Sequence, residues 1–152
     1  VTMFYSMGIS SSALTAQRLR LDVISSNMAN VDTTREKLVD GEWQPYRRKM
    51  VVMQPNENSF SSALDKAVNA KSGNRTPAGV KVSRIVEDET PFKSVYDPDH
   101  PDADENGFVY QPNVDPLREM VDMISATRSY EANVTVLNST KAMLMKSLDI
   151  GK

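Results

Sequence analysis

The sequence predicts an α+β fold, with long N- and C-terminal helices packed as an antiparallel coiled-coil-like pair and a small, mostly β middle domain. Three observations carry this. The last quarter, from Asp115 to Ile150, has apolar residues at three-four spacing, with no glycine and no proline after Pro116. A shorter stretch near the N-terminus has the same period. Between them the chain breaks into short runs rich in β-formers, separated by Pro, Gly, Asn and Asp. The domain reading is therefore 1–34 as an N-terminal helical segment, 35–112 as a β-rich middle domain with a mobile loop near 54–79, and 113–152 as a C-terminal helical segment.

Residues 1–12 are small and polar with scattered Phe4, Tyr5 and Ile9, and Ser10-Ser11-Ser12 can cap a helix. From Ala13 a helix of about 20 residues, roughly 30 Å, is expected. Leu14, Leu21, Ile24, Met28 and Val31 form its stripe, with Gln17 the one polar member. The helix should stop near Asp32-Thr33-Thr34, residues that favour local turn hydrogen bonds.

The middle opens with a loop over residues 35–41. An extended stretch follows through Trp43 and Pro45 to Met50-Val51-Val52-Met53. Trp43 reads as a packing residue. Arg47-Arg48-Lys49 is the only basic run; it reads as a solvated strand face or a contact to an acidic neighbour. A short helix is expected at 63–70, where Ser62 and Asp65 make a capping-box-like start. Val80, Val82 and Val86 alternate on a strand, and a second extended piece covers 92–96. An acidic loop then reaches Asn106-Gly107, a hairpin turn signal ahead of Phe108-Val109-Tyr110.

The C-terminal helix starts at Asp115, whose side chain can cap free N–H groups, with Pro116 in the first turn. Glu119 and Asp122 near its start, and Lys141 and Lys146 near its end, suit the helix dipole. At 1.5 Å per residue it would run to about 52 Å, against an average helix of about 11–12 residues. Its stripe is Met120, Met123, Tyr130, Val134, Leu137, Leu144 and Leu148, interrupted at Thr127 and Lys141. Such a stripe is a seam for another helix. Arg128 and Glu131 are spaced for a surface pair, or Glu131 for a polar contact to another subunit.

Composition narrows the chemistry. A net charge of −2 argues against a general binder of nucleic acid or anionic membrane. No apolar run approaches the roughly 20 residues of a membrane span, and no basic n-region with an apolar h-region opens the sequence. The absence of cysteine excludes disulfides and thiolate sites, and a single histidine excludes a two-His site. Nine methionines, several on the terminal helices, fit either an adaptable packing surface or ordinary core filler. Asp102, Asp104, Asn106 and Gly107 match the first half of an EF-hand calcium loop, but the closing Glu is replaced by Asn113. His100 lies among these carboxylates without a nucleophile or oxyanion motif. No catalytic, cofactor or metal site is expected.

Ser11–Thr34, with Leu21-Asp22-Val23, Ser25-Ser26-Asn27 and Ala29-Asn30 at its core, resembles the N-terminal signature of bacterial flagellar rod and hook proteins. Glu119–Lys152 is similar to the partner signature at the other end of those chains. The blocks GEWQPYRRKMVV and VYDPDHPDADENGFVYQPNVD resemble a proximal-rod member of the basal-body rod family.

The resemblance implies a non-enzymatic structural subunit whose terminal helices line an axial tube that transmits torque and passes export substrates. It implies export through the flagellar type III apparatus, across the cytoplasmic membrane, into the periplasm or cell-wall zone. Implied partners are further copies of the chain, the axial proteins FlgB, FlgF and FlgG, the adaptor FliE and the ring protein FliF. The two stripes, with Asn27 and Asn30 of the signature and Glu131, make up the expected assembly interface. Those apolar seams exceed what one small middle domain can cover, so the termini are expected to be largely disordered in the free subunit. Two alternatives use the same residues: a generic helical-hairpin adaptor, and a small calcium module at Asp102, Asp104 and Asn106.

Overall fold

The computed structural model describes residues 2–39, 41–56 and 79–150. Among these residues two helices bracket six short strands: α1 (Thr2–Ala29), β1 (Lys37–Val39), β2 (Glu42–Gln44), β3 (Lys49–Pro55), β4 (Val80–Glu87), β5 (Lys93–Tyr96), β6 (Phe108–Gln111) and α2 (Pro116–Ile150). The strands form three two-stranded sheets, β1-β2, β3-β4 and β5-β6. The fold is α+β, with the helices at the ends of the chain as expected. The helix expected at 63–70 and most of the loop near 54–79 lie outside the described residues.

α1 begins earlier than its apolar period indicated. Ser10, Ser11 and Ser12, read as caps, are inside the helix. Ser12 tolerates this by donating its hydroxyl back to the Ile9 carbonyl, 2.7 Å away. The helix also ends a little earlier, at Ala29, with a turn leading into the expected Asp32-Thr33-Thr34. The Asn30 N–H is shared between the carbonyls of Ser26 and Asn27, both at 3.2 Å, and the Asn30 side chain also donates to Ser26, at 2.8 Å. Thr33 then bonds Asn30 through backbone and hydroxyl, closing the turn.

Within the middle, β1 and β2 form a hairpin; β2 lies in the expected extended stretch, whereas β1 lies in the expected loop over 35–41. Lys37, Leu38 and Val39 face Gln44, Trp43 and Glu42, with Asp40-Gly41 between them. Gly41 has φ 91°, a conformation that favours glycine. β5 and β6 pair antiparallel from Lys93↔Gln111 to Tyr96↔Phe108. Asn106-Gly107 is not their two-residue turn; it closes a longer loop in which Asp97 N–H bonds the Gly107 carbonyl at 2.9 Å. Trp43 is exposed rather than packed, 55% of its surface reaching solvent.

Internal contacts divide the chain into two compact units. One comprises Val1–Leu19, Val52–Arg84 and Thr127–Lys152. Among the described residues its buried positions are small: Ser10 and Ala16 on α1 and Thr140 on α2. There Ser12 Oγ accepts the Val80 N–H at 3.1 Å. Gly79 passes so close that an added Cβ would sit 2.5 Å from that oxygen. The other unit comprises Arg20–Val51 and Ile85–Ala126. Val23, Ile24, Tyr46, Val109, Val114 and Ala126 form its core. Burial of this apolar surface is its main stabilising term.

Candidate assembly site at the helix junction

The second unit holds a buried polar node where α1, the start of β3 and the start of α2 meet. Asp115 caps α2 as its sequence predicts, its carboxylate accepting the Leu117 N–H at 3.1 Å. That fixes the first turns of α2 and places Glu119, 0% exposed, against α1. Asn27 on α1 meets Glu119 at 3.0 Å, and Arg20, two turns earlier, meets Asp122 at 3.0 Å. The contacts advance along one helix as they retreat along the other, so in this unit the helices run antiparallel.

Asn27 is saturated. Its amide N–H groups donate to the Lys49 carbonyl at 2.9 Å and to Glu119. Its oxygen accepts from the Lys49 N–H at 2.9 Å and the Tyr46 hydroxyl at 3.0 Å. An amide offers about four such positions, and all are used.

Arg48 is the cation at the centre. It is buried, with Nε 2.6 Å from Glu119, one terminal nitrogen 3.2 Å from Asp122 and the other 3.7 Å from Asp88. Its backbone is held too: its N–H donates to Asn113 at 2.8 Å and its carbonyl accepts from Asp88 at 2.8 Å. Asn113 in turn donates to the carbonyls of Asp88 and Thr90. The N–H of Thr90, then its hydroxyl, then nearby Arg48 hold the Asp88 carboxyl below the usual carboxylate range. Burying a guanidinium is costly unless it is paired and hydrogen-bonded, and three carboxylates meet that cost here.

The basic run therefore meets acidic neighbours in its own chain. Besides Arg48, Lys49 pairs with Glu36 at 3.0 Å, and the Arg47 guanidinium lies over the Phe92 ring at 4.4 Å. Neither Glu119 nor Arg48 was read as a site residue. Helix-dipole logic accounted for Glu119, and its partner lies 71 positions away. No local pattern in the sequence marks either residue as buried.

Of the expected interface residues, the node takes Asn27, with Ile24 buried beside it. Asn30 is used to close its own helix. Leu14, Leu21, Met28 and Val31 are half-buried, as are Met123, Val134, Leu137 and Leu144. Met120, Tyr130 and Leu148 are exposed. Glu131 is exposed and paired with Arg128 at 3.1 Å. As a guide to packing within the chain, the apolar stripe on α2 is displaced: the fully buried positions are Glu119, Ala126 and Thr140, one residue before Met120, Thr127 and Lys141. Small and paired residues admit close neighbours there, which explains the apparent gaps at 127 and 141.

Of the calcium candidates, Asp102 is engaged elsewhere. Asp102 accepts from the Thr34 hydroxyl at 2.6 Å and from Arg35, and these bonds hold its carboxyl below the usual range. The His100 ring accepts the Asp102 N–H at 3.1 Å. Among the described residues no three acidic or histidine side chains gather as a metal group, and no helix is long and apolar enough to cross a membrane.

Two family models match the ends of the chain: "Flagella basal body rod protein" over residues 7–35 and "Flagellar basal body rod FlgEFG protein C-terminal" over residues 105–150. The node joins them, since Asn27 lies in the first and Glu119 in the second. Over its whole length the chain is 61% identical to the flagellar basal-body rod protein FlgC of Bacillus subtilis, which it also covers completely. It is 44% identical to FlgC of Borreliella burgdorferi, over 97% of each chain. It is 46% identical to FlgC of Escherichia coli, over 95% of this chain and 94% of the relative.

Proposed function

The chain belongs to the FlgC family of flagellar basal-body rod proteins and is a structural subunit rather than an enzyme; from that premise we propose that it self-assembles through its terminal helices into the axial tube. In this reading residues 1–34 and 113–152 are the assembly segments and 35–112 is the middle domain. The tube transmits torque and leaves a passage for export substrates.

The observation that carries the reading is apolar surface on both terminal segments that the chain does not cover. Phe4 on α1, and Val136, Met143, Met145 and Leu148 on α2, are all exposed. Exposed apolar side chains are most numerous on α2, from Leu117 to Leu148, and such a surface is expected of an interface. Leu14, Leu21, Met28, Leu137 and Leu144, half-buried, supply further contact surface.

The chain is a component of the flagellar basal body. We infer that it reaches the rod by export across the cytoplasmic membrane into the periplasm or cell-wall zone. Its proposed neighbours are other copies of itself, FlgB, FlgF and FlgG, the adaptor FliE and the ring protein FliF. Neither the helical-adaptor nor the calcium-module reading has support among the relatives.

The test is complementation of a flagellated host lacking its own FlgC. The unaltered chain should restore motility and appear in purified basal bodies. Leu144→Asp should give soluble subunit, no motility and no incorporation. Normal motility with Leu144→Asp would count decisively against assembly through α2.

A further inference from the structure

α2 carries a second apolar stripe on the side away from its buried face. Leu117, Met120, Val121 and Ile124 follow the spacing of one helical face and are all exposed, Leu117 at 74% and Val121 at 66%. Buried Ala126 is nine residues beyond Leu117, two and a half turns at about 3.6 residues per turn, and so on the opposite side. The stripe serves no packing within the unit that holds it.

The same unit bears an unlike apolar patch. Leu38 and Trp43 face each other across the β1–β2 hairpin, and both are exposed, Trp43 at 55%. An isolated two-stranded hairpin is marginal in water without something to pack on. On the hairpin Lys37 is already paired with Glu87 at 2.8 Å, which leaves Glu42, exposed next to Trp43, to meet Arg118, exposed beside the helical stripe.

We propose that the β1–β2 hairpin of one copy docks on the Leu117–Ile124 stripe of the next. The proposal rests on the rod-subunit reading. Subunits of a rod share one direction, so a contact between neighbours is heterologous: one patch meets a different patch, and the contact repeats without closing. A chain with two unlike, uncovered apolar patches of opposite rim charge meets that requirement. A self-complementary patch would not.

The cysteine-free chain allows a clean test. Leu38→Cys and Val121→Cys are made in separate full-length copies and co-expressed in the complemented host, and purified basal bodies are oxidised. The expected result is a cross-linked dimer from the mixture and none from either variant alone. Trp43→Cys with Ile124→Cys is a second pair, should one of the first positions not accept cysteine. Basal bodies containing the chain but giving no link with either pair would overturn the docking contact and leave the rod reading intact. Dimers from Val121→Cys alone would overturn it too, since they require a symmetric contact. Absence of the unaltered chain from basal bodies would instead overturn the rod reading itself.

Discussion

The side-chain amide of Asn27 binds Lys49 as a neighbouring strand would, giving one hydrogen bond to its carbonyl and taking one from its N–H, both at 2.9 Å. An element of α1 thereby substitutes for backbone at the first residue of β3, and the same amide reaches Glu119 on α2. Asn27→Ala should leave Lys49, Tyr46 and Glu119 each short of a partner and cost about 2–3 kcal/mol. Asn27→Asp has nearly the same shape but places oxygen against the Lys49 carbonyl and the Glu119 carboxylate. It should be more damaging than alanine at neutral pH. Urea midpoints followed by circular dichroism would decide this; an Asp variant as stable as the parent would show that shape, not hydrogen-bond polarity, is what matters at this position.

Arg48 and Glu119 give a second test. Removing one partner of a buried pair strands the other, at about 3–5 kcal/mol. Arg48→Met and Glu119→Leu should each destabilise by that order. The double variant should lose clearly less than the two losses added together, because the charge that each single variant strands is itself removed, while Asp122 keeps Arg20 and Asp88 keeps Thr90. Additive losses in a double-mutant cycle would mean that the two residues act independently, despite their 2.6 Å contact.

Acid sensitivity should track two carboxylates. The Thr90 N–H and hydroxyl hold the Asp88 carboxyl below its ordinary value, and the Thr34 hydroxyl and Arg35 do the same for Asp102. A carboxyl depressed on folding stabilises fully above its unfolded pKa, about 3.9. That contribution is lost as pH falls through the lower, folded value. Stability should therefore decline below about pH 4. Asp102→Asn should flatten part of the decline while lowering stability at pH 7. An unchanged acid limb in this variant would remove Asp102 from the explanation.

Ser12 and Gly79 define a close approach with little slack. A methyl at 79 would lie 2.5 Å from Ser12 Oγ and 3.3 Å from its Cβ. Gly79→Ala should therefore cost about 1–3 kcal/mol through overpacking. Ser12→Ala in the same background should recover part of it by removing the obstructing oxygen. No recovery in thermal melts of the double variant would place the strain elsewhere.

How far this architecture was legible depends on the range of the forces that set it. Asp115 and Pro116 announced the start of α2 because capping is local, and the carboxylate sits on the Leu117 N–H as capping requires. Asn30, Thr33 and Thr34 announced the end of α1 for the same reason. The long-range pairings were not legible. Glu119 finds Arg48 across 71 positions, and no local pattern marks an acid as buried. The stripe on α2 was read one residue late because apolar character was taken as the sign of burial. The buried line instead uses Ala126, Thr140 and a paired Glu119. The β1–β2 hairpin was missed although Asp40-Gly41 is a turn signal, because three-residue strands leave too little alternation to detect.

The free subunit should be less helical than its assembled form. α1 and α2 run to 28 and 35 residues, yet their terminal parts in the first unit bury chiefly small side chains, Ser10, Ala16 and Thr140. Helices this long gain most of their stability from tertiary packing, and here Phe4, Met143, Met145 and Leu148 are left to solvent. The second unit differs: Arg48, Asn27 and Glu119 tie its helical segments to the strands. Hydrogen exchange of the dilute subunit should show protected amides around Ile24, Asn27, Glu119 and Ala126. Exchange should be fast toward Phe4 and Leu148, with far-ultraviolet helicity well below that of two complete helices. Assembly into the rod should remove the difference, because neighbouring subunits would supply the missing packing. Uniform protection along both helices in dilute solution would show that the terminal segments need no partner to fold.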